Sequence, residues 1–109
     1  MAIASITAAG QAILVSVNNK TGAQFQFRGT FRATIIFEGC GDTAAVPQVW
    51  TEISAISLDS GNLIRNITGP CIVAVPAVAF QSIRARCLSY VSGTVTVESY
   101  SFNNATASY

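Results

Sequence analysis

Glu38, Asp42, Glu52, Asp59 and Glu98 are the side-chain carboxylates of this sequence, and acid–base chemistry between two of them would need a facing pair, as in glycoside hydrolysis. Each falls instead at a strand end, a turn or the polar parity of an extended segment, where a solvated carboxylate is expected. Histidine is absent. That removes the commonest general base, the triad base and a frequent metal ligand together. Cys40, Cys71 and Cys87 match no zinc spacing and read as half-buried thiols in a reducing compartment. Cys40 stands between Gly39 and Gly41, so a mobile loop there would leave it reactive, although nothing basic beside it in sequence lowers its pKa. Calcium would need clustered acids, and a lone Gly-x-Gly lacks the strand-to-helix setting of a nucleotide loop. No catalytic residue, cofactor or metal is expected.

The remaining candidates are cations and aromatics. Arg28 and Arg32 lie on the polar parity of one extended stretch, and Arg84 and Arg86 on that of another. Arginine is enriched at interfaces, so these four are the candidate interface residues, expected to meet carboxylates of a neighbouring subunit. The competing reading is a solvated face with the aliphatic stems laid over neighbours. Trp50, Tyr90, Tyr100 and Tyr109 would suit a sugar-binding platform if they lined one concave face, but a lone tryptophan more commonly packs in a core.

The elements that must position these residues are strands. Ser82 to Phe102 carries the longest pattern: Ile83, Ala85 and Cys87 share one face, Arg84 and Arg86 the other, and Gly93 breaks the run before Thr94 to Val97 resume it. This predicts a β-hairpin turning at Val91-Ser92-Gly93. Gln24 to Glu38 alternates as regularly, with Phe25, Phe27, Phe31, Ile35 and Phe37 on one parity. Its length predicts a second hairpin, split near Phe31-Arg32-Ala33. Further strands are expected over Ile13 to Val17, Val49 to Leu58, Leu63 to Ile67 and Cys71 to Pro76. Turns fall at Asn18 to Gly22 and Asp59 to Asn62, and a surface loop at Gly39 to Pro47. Residues 1–10 read as an N-terminal arm or short edge strand, 11–102 as the domain, and 103–109 as a polar C-terminal tail. No helical period persists beyond a turn. The fold class is therefore all-β, an antiparallel β-sandwich of about eight strands, with a jelly roll favoured over an immunoglobulin-like fold because the Cys and Trp spacing of the latter is missing.

Composition narrows the partners. In 109 residues half are apolar and 10% are charged, well below the ~25% of ordinary soluble domains. So dry a chain is expected to have much of its exterior covered in an assembly. The net charge of +1 is spread singly, which offers no electrostatic footprint for nucleic acid. The charge-free stretch 66–83 is interrupted by Gly69, Pro70 and Pro76 and is no transmembrane helix. Met1 to Val17 lacks the positive start of a signal peptide and reads as mature sequence entered in the cytoplasm.

Taken in order, QFQFRGTF, ATIIFEGCGD, VWTEI, a turn at DSGN, CIVAVP and SIRARCLSYVSGTVTVESY resemble a recurrent β-sandwich domain of tailed-phage virion proteins. The likeness runs from about Gln11 to Tyr100. Two departures are a shorter loop at Cys40-Gly41 before the tryptophan strand and Cys87 within the Arg strand. The resemblance implies a virion structural protein assembled in the host cytoplasm. The role it favours is a homotrimeric capsid cement or decoration protein whose partner is the major capsid protein, with no membrane or nucleic-acid partner. A glycan-binding fibre module and a neck or tail adaptor are its alternatives.

Overall fold

A computed structural model of the chain describes residues 2–18, 20–76 and 80–103. Among these residues lie eleven strands and no helix: β1 (Ala2–Ile6), β2 (Ala12–Ser16), β3 (Gly22–Arg28), β4 (Phe31–Cys40), β5 (Trp50–Ile53), β6 (Ala55–Ser57), β7 (Leu63–Ile64), β8 (Asn66–Ile67), β9 (Cys71–Pro76), β10 (Ser82–Gly93) and β11 (Val95–Phe102). They form two antiparallel sheets packed as a sandwich. One has the order β1-β11-β3-β9-β6-β7 and the other β2-β10-β4-β5, with β8 also paired to β4.

Both expected hairpins are corrected. β10 and β11 do not pair with each other, and neither do β3 and β4; each couple is one long strand that leaves one sheet and enters the other. The two bent strands run side by side, β3 against β11 and β4 against β10. The result is a two-stranded ribbon folded over its own core. The fold lies at Gly29-Thr30 and Gly93-Thr94, where both glycines take positive φ, +107° and +91°. Alternation of apolar and polar residues identifies a strand but not its neighbour, and a glycine break reads alike for a hairpin and a corner. Val91 and Ser92, expected in the turn, belong to β10.

The remaining links follow the same habit. Only β4–β5 and β6–β7 join neighbours within one sheet among the described residues. The Asp59 to Asn62 turn closes the latter, with Gly61 at φ +77°. Residues 63–67, read as one returning strand, divide at Arg65 between the two sheets. Ala2–Ile6 is the edge strand beside β11, with Ile6 buried. The expected loop begins later, at Gly41, because Gly39 and Cys40 complete β4. Of the expected tail, Asn103 is described and 104–109 lie outside the described residues.

Between the sheets Phe25 and Phe27 of β3 meet Phe37 of β4, with ring centroids 5.9 to 6.1 Å apart. Each ring is buried and contributes about 1.5–3 kcal/mol by leaving water. Ile35, Val73, Val75, Ile83, Val95 and Val97 fill the rest of the core.

Candidate functional site

The polar chemistry of the molecule gathers on the outer face of the five-stranded sheet. Inward-facing Ile83, Ala85 and Cys87 turn Arg84 and Arg86 of β10 outward, and the register sets Arg84 beside Glu38 of β4. Arg84 Nε donates to Glu38 Oε1 at 2.7 Å, and Arg86 donates to the same carboxylate through Nε at 3.0 Å and Nη2 at 3.4 Å. On the far side, β5 places Trp50 beneath the Arg84 guanidinium, 4.1 Å from the ring centroid. One carboxylate thus joins β4 to β10, and one guanidinium reaches on to β5.

Glu38 is 8% exposed. Burial pushes its carboxyl pKa up, but hydrogen bonds from Arg86 and Arg84, together with their charge, outweigh it and hold the group below its ordinary value. A carboxylate so stabilised stays ionised at neutral pH and is a weak proton acceptor. The cluster is therefore suited to fixing three strands rather than to moving protons.

The four arginines are not brought together. Arg84 and Arg86 converge on Glu38 of their own chain, where carboxylates of a neighbouring subunit were expected. Arg28, on the outer face of the six-stranded sheet, pairs with Glu98 of β11. Arg32 lies exposed beside Ser92 near the corner. Glu38 and Glu98, read as solvated, are both drawn into ion pairs. The period-2 spacing of Arg84 and Arg86 was a signal for a shared acid, but the register naming Glu38 is not written in sequence.

The aromatics are scattered too. Trp50 is on the five-stranded sheet, Tyr100 on the outer face of the other, and Tyr90 donates its hydroxyl to Gly93 O at 2.5 Å near the corner. Tyr109 lies outside the described residues. Cys40 is buried and its Sγ donates to Asp42 O at 3.4 Å, so it is no mobile thiol. Cys87 is buried and Cys71 half-buried, and burial raises both thiol pKa values. The nearby Asp59 charge adds to the shift at Cys71, while Arg86 works against it at Cys87.

What the pattern did not foretell is how much apolar surface faces outward. Across the six-stranded sheet one register row reads Tyr100, Gln24, Ala74, Ile56 and Leu63. Leu58 and Phe102 flank it, around a shallow depression of about 230 Å³. In β10 the register slips twice against β4, leaving Leu88 and Val91 as bulged residues, 53% and 71% exposed. Bulges re-aim side chains, and here both present an apolar group to solvent. Val46 and Val49 are exposed in the loop before β5.

No protein-family model matches the chain, and no curated protein matches it in sequence. Among solved structures it is similar to the SPBc2 prophage-derived protein YomS, with a TM-score of 0.66 over 90% of this chain and 91% of that one. The two are 11% identical, so the likeness is one of fold.

Proposed function

We propose that this chain is a non-enzymatic structural protein of a tailed-phage virion, bound to the assembled head as a cement or decoration protein. The observation that carries this reading is an exterior with several large exposed apolar groups and few charged ones. Ile3, Leu14, Leu58, Leu63, Leu88 and Val91 are each at least half exposed, while Arg28, Arg84, Arg86, Glu38 and Glu98 spend their charge within the chain. Such a surface sheds water readily when covered. Two further supports are the resemblance of the ordered motifs to virion sandwich domains and the shared fold with a prophage-derived protein. The partner in this reading is the major capsid protein, and binding stabilises the shell by mass action without chemistry.

The test is the copy number of this chain relative to the major capsid protein in purified particles, by quantitative mass spectrometry. Near-stoichiometric abundance is expected. A handful of copies would place the protein at a neck, tail or fibre, and its absence would overturn the virion reading altogether.

A further inference from the structure

We infer that the outer edge of β1 pairs with β1 of a second copy of this chain, joining two six-stranded sheets into one across a twofold axis. Among the described residues β1 ends its sheet and is bonded to β11 on one side alone. Along its other side the main chain presents N–H and C=O groups that template a further strand. The edges on the opposite side of the sandwich are blunted. β7 is two residues long and followed by Arg65, and β5 is four residues long and carries Glu52. Short strands and edge charges are the means by which folds keep their sheets from pairing.

β1 has neither protection. Its sequence AIASI contains no charge and no proline, and its register with β11 has no bulge. β2, the edge of the other sheet, reads AILVS and is equally bare. β1 lies beside β11 and β2 beside β10, the two arms of one bent strand, so both edges open on the same side. The first charged side chain in the sequence is Lys20, beyond both strands.

The absence of charge also selects the occupant. A twofold contact sets each group against its own image, so a charge at its centre would meet its like. An antiparallel self-pair centred on Ala4 places Ile3 beside Ser5 of the partner subunit and opposes only neutral groups. Ile3 is 67% exposed, and in the pair it gains Ser5 of the partner subunit as a cross-strand neighbour that covers part of its side chain. One five-residue edge falls short of the roughly 1,200 Å² that stable interfaces bury. An interface that reaches that size must also take in the β2 edge, which opens on the same side. A self-pairing edge gives twofold symmetry and not the trimer implied by the resemblance.

Sedimentation equilibrium of the purified full-length chain at low and high micromolar concentration tests this. The expected mass is twice the 11.4 kDa of one chain. It should fall to one chain in the Ile3→Lys/Ser5→Lys double variant, whose altered side chains face solvent, and stay doubled in Leu63→Lys at the opposite edge. A monomeric or trimeric parent, or a double variant that still dimerises, overturns the proposal. Should the double variant not fold, amide hydrogen exchange of the parent decides. Amides of Ile3 to Ile6 that point away from β11 exchange more slowly at the higher concentration if the edge is covered, and at an unchanged rate if it is not. Both readouts use the isolated protein, so they succeed or fail independently of the virion reading.

Discussion

Glu38 ties β4 to β10 through a single carboxylate, with Arg84 carrying the link on to Trp50 of β5, and its environment fixes how the protein responds to acid. Its pKa is lower in the folded chain than the ordinary 4.5, so the unfolded chain binds the proton more tightly. The stability this supplies is complete above about 4.5 and is lost as pH falls through the lower, folded value. Replacing Glu38 with Gln removes the charge that answers Arg84 and Arg86 while keeping the side chain's size. The expected loss at neutral pH is about 1.5–3 kcal/mol, the range for hydrogen bonds to charged groups. Below the carboxylate range the parent and Glu38→Gln should converge. Urea unfolding at both pH values, followed by the fluorescence of Trp50 under Arg84, checks both statements, and parallel curves at the two pH values would show that Glu38 is not the titrating group. From sequence Glu38 looked like a solvated acid at a strand end. A burial of this kind depends on which strand lies beside β4, and that information is held in pairing rather than in local pattern.

At the scale of elements, the folded ribbon depends on its two glycine corners. A Cβ on Gly93 would stand 2.2 Å from Thr30 O and 2.7 Å from Phe31 Cα, and one on Gly29 2.5 Å from Thr94 O. The corners press backbone on backbone, with Thr94 N donating to Thr30 O at 3.4 Å. Gly93→Ala should therefore be destabilised by at least about 2 kcal/mol, since positive φ alone costs a residue with a Cβ about 1–2. In a domain of this size that lowers the melting temperature by roughly 10 °C. Gly69→Ala, with open space around the added methyl, should stay within about 1 kcal/mol of the parent. Equal melts for the two variants would mean the corner is not closed as described. The long strands were legible because alternation marks them: Phe25, Phe27 and Phe37, and Ile83, Ala85 and Cys87, all face inward where parity put them. The corners were not, since Gly29 and Gly93 serve a hairpin and a sheet crossing equally well. Nor were the bulges at Leu88 and Val91, which arise from β10 spending two residues more than β4 over the same length.

On the scale of the whole molecule, the sandwich carries few charges and exposes several large apolar groups, and the proposed cover for that surface is the phage head. Binding that acts only on the assembled shell has a quantitative signature. A ligand that binds the folded, assembled state stabilises it by RT ln(1 + [L]/Kd), about 2.7 kcal/mol at a hundred times Kd. Purified protein added to heads that lack it should raise their thermal transition with rising concentration. Once every site is filled, the gain should continue only with the slow logarithm of that relation. The effect should need protein in amounts comparable to the capsid subunits. An enzyme would act when far outnumbered by those subunits, and its effect would grow with time of incubation rather than with occupancy. Differential scanning fluorimetry of heads titrated with the protein, read immediately and after prolonged incubation, separates these cases. A transition that moves at trace concentrations, or that keeps moving with time at fixed concentration, would replace cement with chemistry. A transition that never moves would leave the apolar exterior to a partner other than the shell.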